Sequence, residues 1–511
     1  MLSENHSADT RAAIPPECAL PRWKSDLSIR RNTLVNLAGQ VAPMAVTLLT
    51  VPQYLGLIGE ARYGVLAICW TLLGYFGMFD LGLGQATAQR MATLRDASAE
   101  TRGSLLQTAL LLSGGLGLLA GVLFWLVGQM LLTRFIYSGG ALHAEALVAL
   151  PWLAAILPIT IFSSALSGAL TGRERFVALN QTQVLGIVFG QILPLAVAWS
   201  GGTELARLIP AALLARLVTT LLLLRQCRRH VPLVPGLGFK SEWIRQLFSY
   251  GGWISLNSAV AGLLSGIEPM LIATIAGAKA VTLFSIPFSL TTKISILPMS
   301  LSAAIFPRFA AESNDQQIKL KQQAIRALVA IMTFAVASAL FGLEPFLAVW
   351  INSDFAARAT HAGELLLLGI WINSFAFVPL RLLLAQGRPD VVTKLYLLQI
   401  IPYLGLLYEC LTLLAAAGAA LAWSVRVAVD TVMLFIVTQS TWNEFRLILK
   451  SGIWISMAAS TVFFLQPEEE FRWVIAAILL PLIALWSWRM APNSMKYLIP
   501  IHYFRYSKAR I

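Results

Sequence analysis

The chain has 511 residues, of which 57% are hydrophobic and only 12% are charged, and its mean hydropathy is +0.72. Soluble globular domains carry about 25% charged residues, so this chain has too few polar groups to cover a surface that faces water. Lipid requires the backbone N–H and C=O groups to be paired inside the membrane, and the apolar runs are too long for barrel strands. The sequence therefore predicts an all-α, polytopic membrane protein without a soluble catalytic domain.

The N-terminal segment 1–32 is polar, contains three prolines and lacks an apolar core, which is typical of a cytoplasmic tail rather than a signal peptide. Beyond it, about 20 apolar residues are needed to cross the hydrocarbon core. Only Ala417-Gly418 separates two of the runs that meet this length. The pattern predicts about fourteen transmembrane helices: 33–56, 64–90, 104–132, 145–170, 181–200, 206–224, 248–276, 282–307, 326–350, 362–386, 394–414, 418–440, 446–465 and 472–488.

The distribution of basic residues predicts the orientation. With the N-terminus inside, 28 of the 38 Lys and Arg residues fall in inside loops and tails, six in outside loops and four within spans. Because Lys and Arg concentrate in cytoplasmic loops, both termini are predicted to be cytoplasmic. The net charge of +13 is spread over eight short inside segments, so it does not indicate nucleic-acid binding. The four cysteines and five histidines show no metal-ligand spacing, and no metal site is indicated.

The longest hydrophilic connection, 225–247, is basic and rich in Pro and Gly, which is typical of a linker. It separates a predicted N-lobe, 33–224, from a predicted C-lobe, 248–440. Two extra spans at 441–488 and a basic cytoplasmic tail at 489–511 follow.

The two lobes show a faint repeat. Pro52 precedes Arg90 by 38 residues in the first lobe, and Pro269 precedes Arg308 by 39 in the second. Six spans per lobe predict parallel pseudo-repeats about an axis normal to the membrane, a plan common in transporters, with the substrate path between the lobes.

The most informative region, from Arg31 to Ala92, covers the first two spans and the turn between them. It contains a short turn, Gly59-x-x-x-Tyr63-Gly64, and a later Asp80-Leu-Gly-Leu-Gly84 before Arg90. This pattern resembles the Wzx-type polysaccharide transporters, which are lipid-linked oligosaccharide flippases of the multidrug/oligosaccharidyl-lipid/polysaccharide exporter superfamily. The motif covers about the first 100 residues, and the helix plan extends the likeness along the chain. The commonest relatives have twelve helices, although fourteen also occur, as in the lipid II flippases.

The resemblance implies a flippase of the bacterial cytoplasmic (inner) membrane and not an enzyme. Its substrate would be an undecaprenyl-pyrophosphate-linked oligosaccharide for surface polysaccharide (O-antigen, capsule or exopolysaccharide), moved by alternating access through a cationic central cavity. No cofactor is expected, and an H⁺ or Na⁺ gradient is a candidate driving force. The expected partners are the lipid-linked substrate, membrane lipids, a polysaccharide polymerase and chain-length proteins.

Ionisable groups at membrane depth cost at least about 2.5–3.5 kcal/mol on insertion scales, so they usually face a cavity or a partner. Arginine binds phosphate oxygens bidentately. The candidates for the pyrophosphate or cavity are Arg216, Arg90, Lys293, Arg308, Arg381 and Arg426, those for ion coupling are Asp80, Glu268 and Asp430, and those for sugar contact are Asn36, Gln40, Asn257 and Asn373.

Structural roles are open alternatives for most of the charged candidates. Arg426 and Asp430 stand at i,i+4 and can neutralise each other, and Glu268 and Lys293 lie on adjacent spans at comparable depth. Arg381 can snorkel from the inner end of its span.

Arg216 and Asp80 are special cases. Arg216 lies near the middle of the sixth span with no acid within one turn, which favours a cavity. Asp80 is either a buried carboxylate that carries a coupling proton or part of a helix break, since Gly82 and Gly84 beside it indicate a bend or a close helix contact.

Two other functions compete with the flippase interpretation. A drug exporter of the same superfamily would favour acidic cavity residues to bind organic cations, whereas this set is mainly basic. A membrane-embedded glycosyltransferase, ligase or polymerase would need a large loop for its chemistry, and the predicted outer loops are all short.

Overall fold

The computed structural model describes residues 45–68, 70, 82–94, 96–134, 141–173, 175–231, 240, 242–244, 247, 268–311, 313–386, 388–465 and 470–492. All regular secondary structure in these ranges is helical. The α-helices are α1 (45–68), α2 (Leu83–Thr93), α3 (Ala99–Arg134), α4 (Ala141–Gly172), α5 (Phe176–Trp199), α6 (Leu205–His230), α7 (268–275), α8 (Ala278–Thr291), α9 (Ile296–Ala311), α10 (Asn314–Trp350), α11 (Ser353–Ala385), α12 (Pro389–Val437), α13 (Trp442–Phe464) and α14 (Glu470–Met490).

The predicted all-α, polytopic membrane fold is confirmed. Ten helices in the described part of the chain are long and apolar enough to cross a membrane. The described parts of the fourteen predicted spans are helical, although the elements divide the chain differently. The eighth span is split into α8 and α9 by a 3₁₀ turn at Thr292–Ser295, and the eleventh and twelfth spans are the two arms of α12.

Glycines mark the first two turns of the backbone. The helical stretch of α1 is broken at Gly59, whose φ of 75° is left-handed, so the predicted turn between the first two spans lies there. Gly82 also has a left-handed φ, 68°, at the start of α2. A Cβ on Gly168 of α4 would overlap the carbonyl oxygen of Gly84. The bend and the close helix contact predicted around Asp80 are both present at these glycines, while Asp80 itself lies outside the described residues.

The helix α12 is a tight antiparallel hairpin. Its arms are joined at Ala415, which has φ 47° and ψ −123°, two residues before the predicted division at Ala417-Gly418. A Cβ on Gly418 would overlap the carbonyl oxygen of Cys410 on the opposite arm. Residues equally far before and after the turn therefore face each other across the hairpin.

The helices end on two faces of the bundle. At one face, called here the linker end, Trp243 Nε1 donates to Ser104 Oγ at 3.2 Å and the Lys240 backbone N–H donates to Thr108 Oγ1 at 3.3 Å. The opposite face, called the distal end, carries the turns at Gly59, Gly277 and Asn352. Because successive spans alternate in direction, the termini of α13 near Trp442 and α14 near Met490 also lie at the linker end.

The last two helices are attached to α10 by buried ion pairs. At the linker end, Lys321 Nζ lies 3.3 Å from Glu444 Oε2, and it also donates to Thr438 O and Ser440 Oγ. Both charged side chains are at most 3% exposed. Lys321 precedes the ninth predicted span, 326–350, whereas α10 begins at Asn314, so Lys321 belongs to this helix and is buried against α13.

A second ion pair connects α14 to α10. Arg472, which is 1% exposed, donates through Nη1 to Glu344 Oε2 at 2.9 Å, so α14 is tied to α10 toward the distal end. The extra helices are thus fastened to α10 at both ends. The predicted lobe boundaries themselves stay a prediction.

Lys321→Met is expected to lower the free energy of unfolding by about 3–5 kcal/mol, because Glu444 would keep a buried charge without its partner. The matched control is Lys394→Met, which removes an exposed i,i+4 pair with Asp390 and should leave the free energy of unfolding nearly unchanged. Thermal unfolding of the two purified variants in one detergent checks this. Equal melting temperatures would contradict a structural role for the buried pair.

Candidate functional site

A buried polar cluster lies in the second half of the chain, between α7 and the two arms of α12. Tyr403 Oη donates to Glu268 Oε1 at 2.7 Å, and both side chains are nearly inaccessible, at 3% and 2%. The guanidinium carbon of Arg426 lies 5.2 Å from the centroid of the Tyr403 ring, within the range of a cation–π contact. The cluster thus combines a carboxylate, a phenol and a guanidinium within the membrane.

The hairpin at Ala415 explains why these groups meet. Gln399 and Tyr403 lie one turn apart on the first arm, and Arg426 and Asp430 lie one turn apart on the second. Gln399 Nε2 donates to Asp430 Oδ1 at 2.9 Å. One helical turn closer to Ala415, the ring of Tyr403 contacts the guanidinium of Arg426. At 1.5 Å per residue, Arg426 lies about 17 Å from the turn, near the middle of the hydrocarbon core.

The structure corrects the two local pairings considered for these charges. Within the described residues, Arg426 and Asp430 form no ion pair at 4 Å, because Asp430 turns to Gln399 and Arg426 turns to Tyr403. Glu268 does not pair with Lys293, since it accepts from Tyr403 instead. Of the four charged groups considered for these pairs, Glu268 and Asp430 therefore accept from Tyr403 and Gln399, Arg426 contacts the ring of Tyr403, and Lys293 lies apart in the 3₁₀ turn.

Three further candidate arginines share one property with Arg426. Each has a buried Nε without a hydrogen-bond partner in the described part of the chain, namely Arg90 on α2, Arg216 on α6 and Arg381 on α11. None of them forms an ion pair with a described carboxylate. Arg216 lies about 17 Å from the distal start of α6, the same depth as Arg426, while Arg90 and Arg381 lie nearer the linker end.

Lys293 sits in the 3₁₀ turn that separates α8 from α9, and its side chain is exposed. A short 3₁₀ stretch inside a helix often marks a hinge. Pro287 and Pro298 flank it on either side. The turn therefore places a cation at the weak point of a membrane-spanning helix.

The structure describes only some of the remaining candidate residues. Asn373 is a half-buried residue of α11. The backbone of Arg308 belongs to α9, but its side chain lies outside the description. Asp80 and three of the sugar-contact candidates, Asn36, Gln40 and Asn257, lie outside the described residues.

Contacts between the two halves gather at the distal end. Arg358 of α11 donates through both Nη atoms to the carboxylate of Glu60, at 2.5 and 2.8 Å, and also to Asp354 at 2.7 Å. Thr282 Oγ1 donates to the Glu60 carbonyl at 2.6 Å. Trp350 Nε1 donates to the carbonyl of Leu48 in α1 at 2.5 Å. A hydrophobic cluster that contains residues of α1, α5, α6, α8 and α10 backs these polar contacts.

Glu60, Arg358 and Tyr403 are site residues that the sequence analysis missed. The first two lie in segments interpreted as short outer loops, where single charges are ordinary. Tyr403 is an uncharged residue within an apolar run. The one signal for Glu60 is its place inside the Gly59-x-x-x-Tyr63-Gly64 turn, which brings it to a point where the halves meet.

Comparison with known proteins gives one family for this chain. The family described as "Polysaccharide biosynthesis protein" matches residues 29–312, more than half of the chain. A Shigella flexneri protein named "Putative O-antigen transporter" is 26% identical over 425 residues, which is 80% of this chain and 97% of that protein.

Solved structures show the same fold. The structure titled "Lipid II flippase MurJ, inward closed conformation" superposes with a TM-score of 0.70 at 11% identity, covering 89% of this chain and 98% of that one. An inward-facing multidrug resistance MATE family transporter of the MOP superfamily gives a TM-score of 0.67 at 18% identity, covering 80% and 98%.

Proposed function

Because the chain belongs to the polysaccharide biosynthesis protein family, a family of membrane transporters and not of enzymes, we propose that it is a flippase for an undecaprenyl-pyrophosphate-linked oligosaccharide. The observation that carries this proposal is the set of intramembrane arginines whose buried Nε atoms have no hydrogen-bond partner in the described part of the chain. A pyrophosphate must leave water to cross the bilayer, and Arg216 and Arg426 offer guanidinium groups at mid-depth in the two halves.

The names of the similar proteins support the substrate class. The Shigella flexneri relative is named as an O-antigen transporter and MurJ as a lipid II flippase, and both names refer to a sugar-bearing envelope component. We extend this class to the present chain, which we place in the inner membrane as a multi-pass protein. Its proposed substrates are the lipid-linked repeat units of O-antigen, capsule or exopolysaccharide. A polysaccharide polymerase and chain-length proteins are the proposed downstream partners.

Alternating access supplies the proposed mechanism. The Glu60–Arg358 pair and the contact of Trp350 with α1 join the two halves at the distal end. If basic loops lie in the cytoplasm, the linker end faces the cytoplasm, and the proposed path of entry for the substrate is from this side while the distal contacts are in place. Opening of the distal end would then release the oligosaccharide to the outer leaflet.

Deletion of the gene tests the function directly. In a strain without a second flippase, we expect lipid-linked oligosaccharide to accumulate on the cytoplasmic leaflet and surface polysaccharide to be lost, with restoration by the wild-type gene. Leaflet-specific labelling of the lipid-linked sugar measures this. Normal surface polysaccharide in that strain would refute the flippase proposal, and drug sensitivity as its sole defect would favour an exporter.

The buried cluster is the proposed site of ion coupling. Glu268→Gln removes the titratable charge but keeps the size and one acceptor for Tyr403, so gradient-driven transport should nearly cease while protein abundance stays normal. The matched control is Glu409→Gln, an exposed carboxylate on the same helix as Tyr403, which should transport normally. Transport rates measured in vesicles with and without an imposed H⁺ or Na⁺ gradient check this. An unchanged gradient response in Glu268→Gln would exclude Glu268 as the coupling group.

A further inference from the structure

A strongly basic pocket opens at the linker end between α10, α13 and α14. Its volume is about 820 Å³. Four cations line it, namely Arg326 of α10, Arg446 and Lys450 of α13, and Arg489 of α14, and no acid is among its described lining residues. The nearby Glu444 does not offset them, because it is buried against Lys321. The pocket is therefore a concentration of positive charge at the level of a membrane interface.

This pocket is separate from the proposed transport path. Its described lining comes entirely from α10, α13, α14 and the residues just after α14, and none comes from the first half of the chain. The arginines proposed to meet the pyrophosphate lie on α2, α6, α11 and α12 instead. The basic pocket is thus a candidate site for a different anion.

Two apolar grooves lie near the pocket. One, of about 320 Å³, runs between α10 and α14 past Ile331 and Phe334 and shares Ala491 with the basic pocket. The other, of about 730 Å³, runs between α13 and α14 past Leu449, Ile453 and Met457; its lining is separate from that of the pocket, but Leu449 and the pocket residue Lys450 are consecutive on α13. A polar cavity with apolar grooves near it suits an amphiphile.

We propose that this pocket and its two grooves form a binding site for an anionic phospholipid of the surrounding leaflet. The phosphate lies among Arg326, Arg446, Lys450 and Arg489, and one acyl chain lies in each groove. Basic pockets between transmembrane helices are known to suit anionic headgroups. The two grooves match the two acyl chains of a phospholipid in number. The bound lipid fills the seam between α10 and the last two helices and stabilises their attachment.

The site goes beyond the proposed function and does not rest on it, so its test reads lipid binding rather than transport. The full chain is purified, delipidated in detergent and incubated with phosphatidylglycerol or phosphatidylcholine, and retained lipid is counted by native mass spectrometry. We expect wild type to retain phosphatidylglycerol in preference to phosphatidylcholine and to melt at a higher temperature with it.

Variants locate the site. Each cation near an anionic lipid is worth about fivefold in affinity, so Arg446→Gln with Lys450→Gln should weaken phosphatidylglycerol retention about 30-fold. The matched control, Arg225→Gln with Arg229→Gln, removes two exposed cations from the linker end of α6 and should retain lipid like wild type. Ser456→Phe fills the groove between α13 and α14 without changing the charge, and it should also weaken retention.

Two results would overturn the proposal. The first is equal retention of phosphatidylglycerol by the pocket variant and the α6 control, which would assign the lipid to the surface in general. The second is displacement of the lipid by soluble pyrophosphate, with equal protection against thermal unfolding, which would make the pocket a site for free anions. All variants lie at exposed positions, so a folded protein is expected in each case.

Discussion

A reducible cross-link between cysteines introduced by Glu60→Cys and Arg358→Cys is expected to stop transport completely, and reductant should restore it. The two native side chains meet bidentately across the distal end, so a short bifunctional thiol reagent spans the two positions. Alternating access requires this end to open, and a covalent bridge between α11 and the Gly59 turn holds it shut. Transport of lipid-linked oligosaccharide into vesicles, in a background without the four native cysteines, measures the effect.

The control for this experiment uses the same end of the molecule. Arg62 and Glu145 also form a bidentate pair, at 2.9 and 2.6 Å, but both belong to the first half. A cross-link between Arg62→Cys and Glu145→Cys should therefore leave transport nearly unchanged. Continued transport by protein shown to carry the bridge between positions 60 and 358 would mean that the distal end does not open during the cycle.

Arg216→Ala is expected to reduce transport by about 10- to 100-fold, since a hydrogen bond to a charged group contributes roughly 1.5–3 kcal/mol and 1.4 kcal/mol corresponds to tenfold. Arg216 lies at mid-depth in α6 with a buried, unpartnered Nε in the described part of the chain. Arg216→Lys keeps the charge but loses the planar fork, so it should retain part of the activity. Arg216→Glu should abolish transport through repulsion of the pyrophosphate.

Arg225→Ala is the matched control for this series. It removes an exposed arginine from the same helix near the linker end, and its transport rate should stay close to wild type. Rates are normalised to the amount of protein in the membrane. Wild-type transport by Arg216→Ala would contradict a role for Arg216 in the path, and failure of that variant to accumulate would identify Arg216 as a structural charge.

The membrane-spanning helices could be predicted because the hydropathy of a segment depends only on its own residues. Each span follows from a run of apolar residues that must pair its own backbone groups in lipid, and this needs no knowledge of neighbours. The Ala417-Gly418 division was found within two residues of the turn at Ala415. The 3₁₀ turn at Lys293 was not, because hydropathy is the same in an α-helix and a 3₁₀ turn.

Contacts between segments that are far apart in the chain could not be predicted from the sequence. The sequence shows that Lys321 is charged but not whether its side chain is buried. Its burial follows from the contact with Glu444 of α13. The partner of Glu268 is the uncharged Tyr403, 135 residues away, and no local pattern points to it. Candidate residues were thus found by charge and depth, whereas their pairing depends on how the helices pack.

The attachment of the last two helices has a consequence for how the chain is made. Glu344 on α10 meets Arg472 only 128 residues later, which at about 5–20 residues per second is roughly 6–25 s of synthesis. During this interval, Glu344 and Lys321 reside in the insertion machinery or the bilayer without their partners. Chains truncated before α13 would keep both charges uncompensated, so we expect them to be less stable in the membrane than complete copies.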